Sequence, residues 1–315
     1  MKYIAYGTSK LLKLYLENTD KSIFEYSIDN FTTETMIYDL NIFKDDILFK
    51  ENKDDVIVVV FAVANTTLIK IEKRLIEQGF TRFKNFIYYS DFLIDRFNDK
   101  LNDRGFQRVS KENQILATEL NRNLTIPVHT TILGNALLLQ LIDLTKGMKG
   151  SIAEIGAFRC GASNINMVKL LANNDDREYY IFDSFEGFPA LSYNDPQSCK
   201  KGDYDVNMSY EMIENEFLMN NKFRVIKGFV PNTFSEVDKD KKFSIVFYDC
   251  DLYEPALETF KFFEDKIEEG GFLIIHDYNA EKGGFEGVKK ATDEYFKYKK
   301  EIYSFFENTM AVVKY

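Results

Sequence analysis

The sequence of 315 residues contains little of what disulfide-rich and histidine-rich metal proteins require. Its three cysteines, Cys160, Cys199 and Cys250, form no C-x-x-C pair and no disulfide framework, which predicts a reducing compartment. Two histidines, His129 and His276, exclude a metal site built from several histidines. The chain therefore reads as an ordinary reduced protein with three free thiols.

Long apolar runs and excess positive charge are also missing. The most apolar run, residues 56–64, is far shorter than the roughly 20 residues that cross a bilayer. The N-terminus has no leader pattern, so we expect a cytoplasmic protein without membrane insertion. Lys+Arg 40 against Asp+Glu 50 gives a net charge of -10, so we expect no nucleic-acid partner.

Glycine and proline are scarce in the first third of the chain. All five prolines lie beyond residue 126, and the glycines before that point are Gly7, Gly79 and Gly105. A chain of 315 residues is long enough for two domains of about 150 residues. The polar segment 95–114 separates the two parts. We predict a small N-terminal α/β domain for recognition or assembly, residues 1–104, and a second domain, residues 105–315.

Strand and helix patterns alternate along both parts, as in α/β proteins with a doubly wound sheet. The predicted strands are residues 2–6, 22–26, 56–63, 85–89, 152–155, 179–182, 223–226, 245–248 and 272–275, and residues 302–306 and 310–313 form a hairpin. The predicted helices begin near residue 10 and cover residues 67–77, 162–172 (capped near Ser163) and 255–268, the last followed by Gly270-Gly271. Ligands of such a sheet bind beyond the carboxyl ends of its strands.

Two motifs follow successive strands of the second part. Residues 154–161, EIGAFRCG, form a glycine turn without the middle glycine of the dinucleotide motif G-x-G-x-x-G. Asp183, in IFDSFEGFP, ends the next strand, where a carboxylate accepts hydrogen bonds from ribose hydroxyls. An isolated aspartate there is more often a cap or turn residue, but its place after the glycine turn favours a nucleoside site.

Carboxylates follow two further strands. The strand period of two puts Asp249 and Asp251 on one side and Cys250 on the rear. Asp277 follows His276 at the end of the next strand. Close carboxylates repel and usually have a cation, a shared proton or a reacting group between them, so Asp249 and Asp277 are candidate ligands of a hard cation.

In this order, EIGAFRCG, DSFEGFP, YDCDLYEP and GGFLIIHDYN resemble the macrocin O-methyltransferase family (the TylF/MycF/NovP type) of class I S-adenosylmethionine-dependent methyltransferases, over roughly residues 110–315. The resemblance implies a Rossmann-like fold, S-adenosylmethionine as cofactor, and methyl transfer to a hydroxyl of a sugar or sugar-containing acceptor, either a small molecule or a glycan. Family members often self-associate, so the resemblance is compatible with a homo-oligomer, and the sequence leaves the oligomeric state open.

The resemblance assigns roles residue by residue. The cofactor site would comprise Glu154, Gly156, Gly161, Asp183, Ser184, Gly228 and Asp249. Asp251 would be the general base, and Asp249 and Asp277 would hold a divalent cation, usually Mg²⁺. The family often has two aspartates where this chain has His276-Asp277. Magnesium prefers oxygen ligands, so metal need and identity stay open: His276 is a ligand, a neighbouring group, or a substitute where no metal binds.

Two rival functions remain. The turn Tyr6-Gly7-Thr8-Ser9 looks like half of a nucleotide-binding fold and suggests an NAD-dependent nucleotide-sugar enzyme, against which the missing G-x-G-x-x-G argues. A catalytically silent methyltransferase-fold binding protein is the other, against which the full set of acidic residues argues. The long polar stretch 191–208 favours a lid or acceptor loop over a plain connection.

Overall fold

The structure is a computed structural model that describes all residues except 20, 63–64, 94, 97–108, 124–129, 207–209, 218–219, 281–283 and 305–309. The chain divides into two compact units, Met1–Arg96 and Phe97–Tyr315. The boundary predicted near residue 105 lies outside the described residues. Within the described part of the chain, no helix combines the length and apolar character needed to cross a membrane.

The first unit is a six-stranded sheet with order β3-β4-β2-β1-β5-β6, parallel except for the β3–β4 pair. Its elements are β1 (Lys2–Tyr6), α1 (Lys10–Asn18), β2 (Phe24–Ile28), β3 (Met36–Ile37), β4 (Leu40–Phe43), β5 (Val56–Val60), α2 (Asn65–Glu77) and β6 (Phe86–Tyr88). The apolar strand β5 is buried on both faces, because Val58 and Val60 join one core cluster and Val59 joins the other.

The second unit is a seven-stranded sheet with order β12-β13-β11-β10-β7-β8-β9. Its elements are α3 (Lys111–Asn123), α4 (Ile132–Leu144), β7 (Ser151–Ile155), α5 (Gly161–Ala172), β8 (Tyr179–Asp183), α6 (Tyr210–Phe217), β9 (Phe223–Lys227), β10 (Phe243–Tyr248), α7 (Tyr253–Phe263), β11 (Ile267–Ile275), α8 (Glu286–Phe296), β12 (Ile302–Ser304) and β13 (Ala311–Lys314). The five strands from β11 to β9 are parallel, and β12 and β13 form the predicted antiparallel hairpin.

The switch point of this sheet lies between β7 and β10. From β7 the chain proceeds to β8 and β9 on one side, and then returns through β10 to β11 on the other. Connections that leave in opposite directions open a crevice at the carboxyl ends of these strands. Four motifs therefore lie together at the carboxyl ends of the strands of one sheet: EIGAFRCG, DSFEGFP, YDCDLYEP and GGFLIIHDYN.

The helix predicted over residues 255–268 is wrong in its last five residues. The helix α7 ends at Phe263, and β11 already begins at Ile267, so Gly270 and Gly271 lie inside a strand. The register of β11 against β10 shifts between Phe243 and Ile245, and Gly270 adopts φ +85°. A glycine at a strand irregularity of this kind explains why the pair resembled a helix stop.

Other boundaries differ less. A short 3₁₀ helix, Lys21–Ile23, occupies the start of the strand predicted at residue 22, so β2 begins at Phe24. The helix α5 begins at Gly161 after Cys160, which makes no side-chain capping hydrogen bond. The predicted cap by Ser163 or a neighbouring residue is therefore wrong, and the Ser163 hydroxyl donates to Glu154 instead. Further 3₁₀ helices span Asp45–Lys50 and Asn232–Glu236.

Candidate active site

The turn after β7 is fitted against the end of β10. Gly156 adopts φ +89°, and a Cβ atom there would lie 2.2 Å from the carbonyl oxygen of Asp249. The Asp249 backbone N–H donates to the carbonyl of Ile155 at 2.7 Å. A side chain at position 156 would therefore force the two strand ends apart.

Asp183 fastens this turn to the end of β8. Its Oδ2 accepts hydrogen bonds from the backbone N–H groups of Ala157 and Phe158, at 2.8 and 2.7 Å, and its Oδ1 accepts from that of Phe185 at 2.7 Å. Burial raises the pKa of Asp183 above its usual value, although these three N–H groups act in the opposite direction. The carboxylate predicted to contact a ribose thus also shapes the site.

Glu154 is buried next to the carboxyl end of β7. Its Oε2 accepts from the hydroxyl of Ser163 at 2.7 Å and from the phenol of Tyr179 at 2.6 Å. Burial raises the pKa of the Glu154 carboxyl to about 7, although both hydrogen bonds lower it. Neither Ser163 nor Tyr179 was predicted for the site, since a hydroxyl inside a helix or strand carries no distinguishing pattern.

Four acidic or imidazole side chains meet at the ends of β10 and β11. Asp249, Asp251, His276 and Asp277 each offer one ligand atom, and these atoms lie within 4.8 Å of one another. The Nδ1 atom of His276 lies 2.8 Å from a carboxylate oxygen of Asp249 and 2.9 Å from one of Asp277. The imidazole thus joins the carboxylates of two neighbouring strands.

Burial and mutual charge set the protonation of this cluster. Burial alone would lower the pKa of His276, but the carboxylates of Asp249 and Asp277 outweigh it and hold that pKa well above its usual value. Burial, the charge of Asp249 and a hydrogen bond shared with Asp277 raise the pKa of Asp251 well above the ordinary range. Asp249 and Asp277 therefore favour the cationic form of the His276 imidazole, whereas burial and neighbouring negative charge oppose ionisation of Asp251.

Asp249 and Asp251 lie close together, but not because they alternate along an extended strand as predicted. The strand β10 ends at Tyr248, and Asp251 adopts φ +63°, so the two aspartates meet through a turn. Cys250, predicted on the rear of the strand, lines a cavity of the site. The alternation of side chains holds only while the backbone remains extended.

All residues predicted for the site line one of two adjoining cavities. The smaller, of about 90 Å³, is bordered by Gly156, Asp183, Ser184, Gly228, Asp249 and Asp251. The larger, of about 220 Å³, is bordered by Glu154, Gly156, Gly161, Asp249, Asp251, His276 and Asp277. In the smaller cavity, the Ser184 hydroxyl donates to the carbonyl of Gly187 at 2.9 Å, and Gly228 adopts φ +140°.

Aromatic side chains border the same cavities. Tyr204, from the long loop after β8, lines both of them, and its ring centroid lies 4.9 Å from that of Phe188. The rings of Phe158 and Phe285 lie 6.0 and 6.3 Å from Tyr204. Burial raises the pKa of Tyr204. This apolar wall was not predicted from the sequence, although its loop was singled out.

Comparison with known proteins identifies the chain. The model of the macrocin O-methyltransferase (TylF) family matches residues 71–309. The chain belongs to the macrocin O-methyltransferase family. The family predicted from the four motifs is thereby confirmed.

Two characterised members of the macrocin O-methyltransferase family illustrate how far the similarity extends. A tetracenomycin rhamnosyl 4'-O-methyltransferase of Streptomyces olivaceus is 26% identical over 145 residues, which are 43% of this chain and 55% of that protein. The mycinamicin III 3''-O-methyltransferase of Micromonospora griseorubida is 24% identical over 147 residues, 43% of this chain and 58% of the relative. The chain thus spans little more than half the length of these relatives.

The predicted fold is also confirmed. The structure of the O-methyltransferase NovP superposes with a TM-score of 0.50 at 20% sequence identity, and the match covers 72% of this chain and 97% of NovP. At this identity the likeness concerns the fold. The Rossmann-like methyltransferase sheet with its antiparallel hairpin is that of class I methyltransferases.

Proposed function

We propose that this member of the macrocin O-methyltransferase family transfers a methyl group from S-adenosylmethionine to a hydroxyl of a sugar or sugar-containing acceptor. One observation carries the proposal: the turn held by Asp183 and the acidic cluster of Asp249, Asp251 and Asp277 border adjoining cavities at the switch point. Relatives that act on rhamnosyl and mycinamicin acceptors support a sugar.

The residues that line the smaller cavity fit an adenosine group. The carboxylate of Asp183 retains acceptor capacity beyond its three backbone donors, since an ionised carboxylate offers about four acceptor positions. Gly156 and Gly228 keep the cavity floor free of side chains, and Phe182 and Phe188 give it apolar walls. We assign Glu154, Gly156, Gly161, Asp183, Ser184, Gly228 and Asp249 to the cofactor site.

When bound, S-adenosylmethionine supplies an electrophilic methyl group on a positively charged sulfur. The residues of this chain align the acceptor hydroxyl with that carbon and remove its proton. We assign Asp251 the role of general base. Its enclosed position and raised pKa make its ionised form a stronger proton acceptor than an ordinary aspartate.

The donor set also fits a divalent cation. Three carboxylates and one imidazole present ligand atoms within 4.8 Å of one another, and oxygen donors suit Mg²⁺ or Mn²⁺. Asp249, Asp277 and His276 would hold it, and the cation would lower the pKa of a bound hydroxyl.

Chelation followed by Mg²⁺ or Mn²⁺ addition tests the cation. We expect activity to fall in chelator and return with metal, whereas full activity in chelator would remove the cation from the proposal.

Isothermal titration with S-adenosylmethionine tests the cofactor. We expect saturable one-site binding, and we expect Asp183→Ala to weaken it by at least tenfold, because the turn loses its anchor. Glu258→Gln on α7, where the side chain is 41% exposed and pairs with Lys261, is the matched control and leaves the affinity unchanged. Absence of binding, or equal affinity in Asp183→Ala, would contradict the cofactor assignment.

Mass spectrometry of candidate acceptors with methyl-labelled donor tests the reaction. We expect one label per acceptor, placed on a sugar oxygen. Cofactor binding without label transfer to any sugar-bearing acceptor would favour the catalytically silent alternative.

A further inference from the structure

Arg159 lies at the tip of the turn between β7 and α5. The turn is closed by the Cys160 N–H, which donates to the carbonyl of Ala157 at 2.6 Å. The residues on either side, Phe158 and Cys160, adopt φ of +49° and +57°, a region that costs non-glycine residues free energy. Asp183 stabilises this strained turn through two backbone hydrogen bonds.

The guanidinium of Arg159 has no anionic partner among the described residues. Its Nε is buried and makes no hydrogen bond. The Cζ atom of Arg159 lies 5.3 Å from the ring centroid of Phe158. A half-buried guanidinium with an unsatisfied N–H is costly unless a ligand completes its hydrogen bonds.

Arg159 supplies positive charge to a cavity that several acidic side chains also line. It lines the larger cavity together with Glu154, Asp249 and Asp277. Among the described residues that border either cavity, Arg159 is the single lysine or arginine. The imidazole of His276 also borders the larger cavity, but its Nδ1 already lies between two carboxylates.

We propose that Arg159 binds the α-carboxylate of the methionyl part of S-adenosylmethionine. The inference rests on the proposed function. The sulfonium and ammonium groups of that molecule are attracted by the acidic side chains, but its carboxylate is repelled by them and requires a cation. Arginine binds a carboxylate through two parallel N–H groups, which also fixes its orientation. The strained turn thus places one positive charge where the acidic side chains of the cavity would otherwise repel the carboxylate of the cofactor.

Titration calorimetry with two probes tests this inference. S-adenosylmethionine carries the carboxylate, whereas decarboxylated S-adenosylmethionine lacks it and keeps the ammonium and sulfonium. We expect the wild-type protein to prefer the first probe by roughly tenfold to a hundredfold, the range for a charge-assisted hydrogen bond. In Arg159→Gln this preference should disappear, while the affinity for the decarboxylated probe stays within about twofold.

Two variants separate binding from folding. Arg159→Lys keeps the positive charge and should retain part of the preference. Arg224→Gln changes an exposed arginine, paired with Glu178, that borders neither cavity, and should leave both affinities unchanged. An undiminished preference in Arg159→Gln would overturn the proposal, and a raised acceptor KM would then assign Arg159 to the acceptor.

Equal loss of both probes in the glutamine and lysine variants would also overturn the proposal, because Arg159 would then support the turn. Failure of the wild-type protein to bind either probe would contradict the cofactor assignment itself, which distinguishes the two proposals.

Discussion

The Asp183 side chain performs two tasks with one carboxylate. Three backbone N–H groups fill most of its acceptor positions, so its first effect is to hold the turn that carries Phe158 and Arg159. One acceptor position remains for a ligand hydroxyl. A strand-end aspartate is therefore both a structural and a binding residue, and substitution there disturbs the whole cofactor site.

Asp251→Asn tests the general base. The amide is nearly isosteric but accepts no proton, so we expect kcat to fall by roughly 10²–10⁴, the usual contribution of general acid–base catalysis. Cofactor affinity should stay within about threefold, since the assigned cofactor contacts are unchanged. Initial rates and titration calorimetry measure the two effects. A kcat within threefold of wild type would remove Asp251 from this role.

Only some residues of the site could be predicted from the sequence. Asp249, Asp251 and Asp277 were visible because acidic residues after parallel strands share one edge of the sheet. Arg159 and Tyr179 were not singled out, because their significance depends on which side chains surround them. Charge complementarity in a cavity is a property of the fold, and local spacing does not encode it.

At the scale of elements, the long loop after β8 is anchored to the start of α7 through Asp195. Asp195 accepts from the N–H and the hydroxyl of Ser192, at 2.7 and 2.6 Å, and from the N–H of Tyr253 at 2.8 Å. Tyr253 is the first residue of α7, whose N-cap Leu252 has no capping side chain. A loop residue therefore caps a distant helix.

Asp195→Ala should lower the free energy of unfolding by about 1–2 kcal/mol, because it removes the cap and leaves a helix N–H without a partner. Urea denaturation measures the change. Tyr193→Ala, which alters a side chain that is 95% exposed in the same loop, should change stability by less than about 0.5 kcal/mol. Equal stabilities of the two variants would show that the loop is not anchored through Asp195.

Three helices of the second unit are joined by one carboxylate. Asp143 on α4 accepts from Asn113 of α3 at 2.7 Å and from Lys169 of α5 at 2.8 Å. Burial alone would raise the pKa of Asp143, but the hydrogen bonds from Lys169, Asn173 and Asn113 outweigh it and lower the pKa. Since Lys169 is buried, the pair matters more than a surface ion pair.

A lowered native pKa makes this contribution depend on pH. It is fully present above the unfolded aspartate pKa of about 3.9 and is lost as the pH falls through the lower native value. Asp143→Asn should therefore cost roughly 1–3 kcal/mol at pH 7, and the difference from wild type should narrow below about pH 4. Urea denaturation at both pH values measures it, and a constant difference would contradict the assignment.

The helices and strands were predicted correctly where the hydrophobic pattern agreed with the positions of glycine and proline. The parallel strands were recognised because runs such as Val56–Val60 are apolar throughout and buried on both faces. No helix was assigned at α4, although ten of its residues are buried, because a helix without a polar face shows no clear period. The end of α7 was misplaced because Gly270-Gly271 marks a strand irregularity as readily as a helix stop.

At the scale of the whole molecule, two largely parallel sheets each have a switch point, but the side chains at those two points differ in chemistry. In the second unit, acidic side chains at the strand ends converge on cavities. In the first unit, Asp29 after β2 accepts from the N–H and hydroxyl of Thr8 at 3.1 and 2.6 Å, and from the N–H groups of Phe31 and Thr32 at 2.8 and 3.1 Å. Its acceptor positions are filled by the protein itself.

This difference argues against the rival nicotinamide-dependent function. A dinucleotide site needs an acid after the second strand with free acceptor positions for ribose and a glycine-rich first turn. Here Asp29 is fully engaged, and the Gly7 backbone approaches so closely that a Cβ would lie 2.8 Å from the Phe61 carbonyl oxygen. We expect a fluorescence titration with NADH to show no saturable binding when S-adenosylhomocysteine occupies the methyltransferase site. Saturable binding under those conditions, lost in Asp29→Ala, would restore the rival, because the signal would then arise from the first unit.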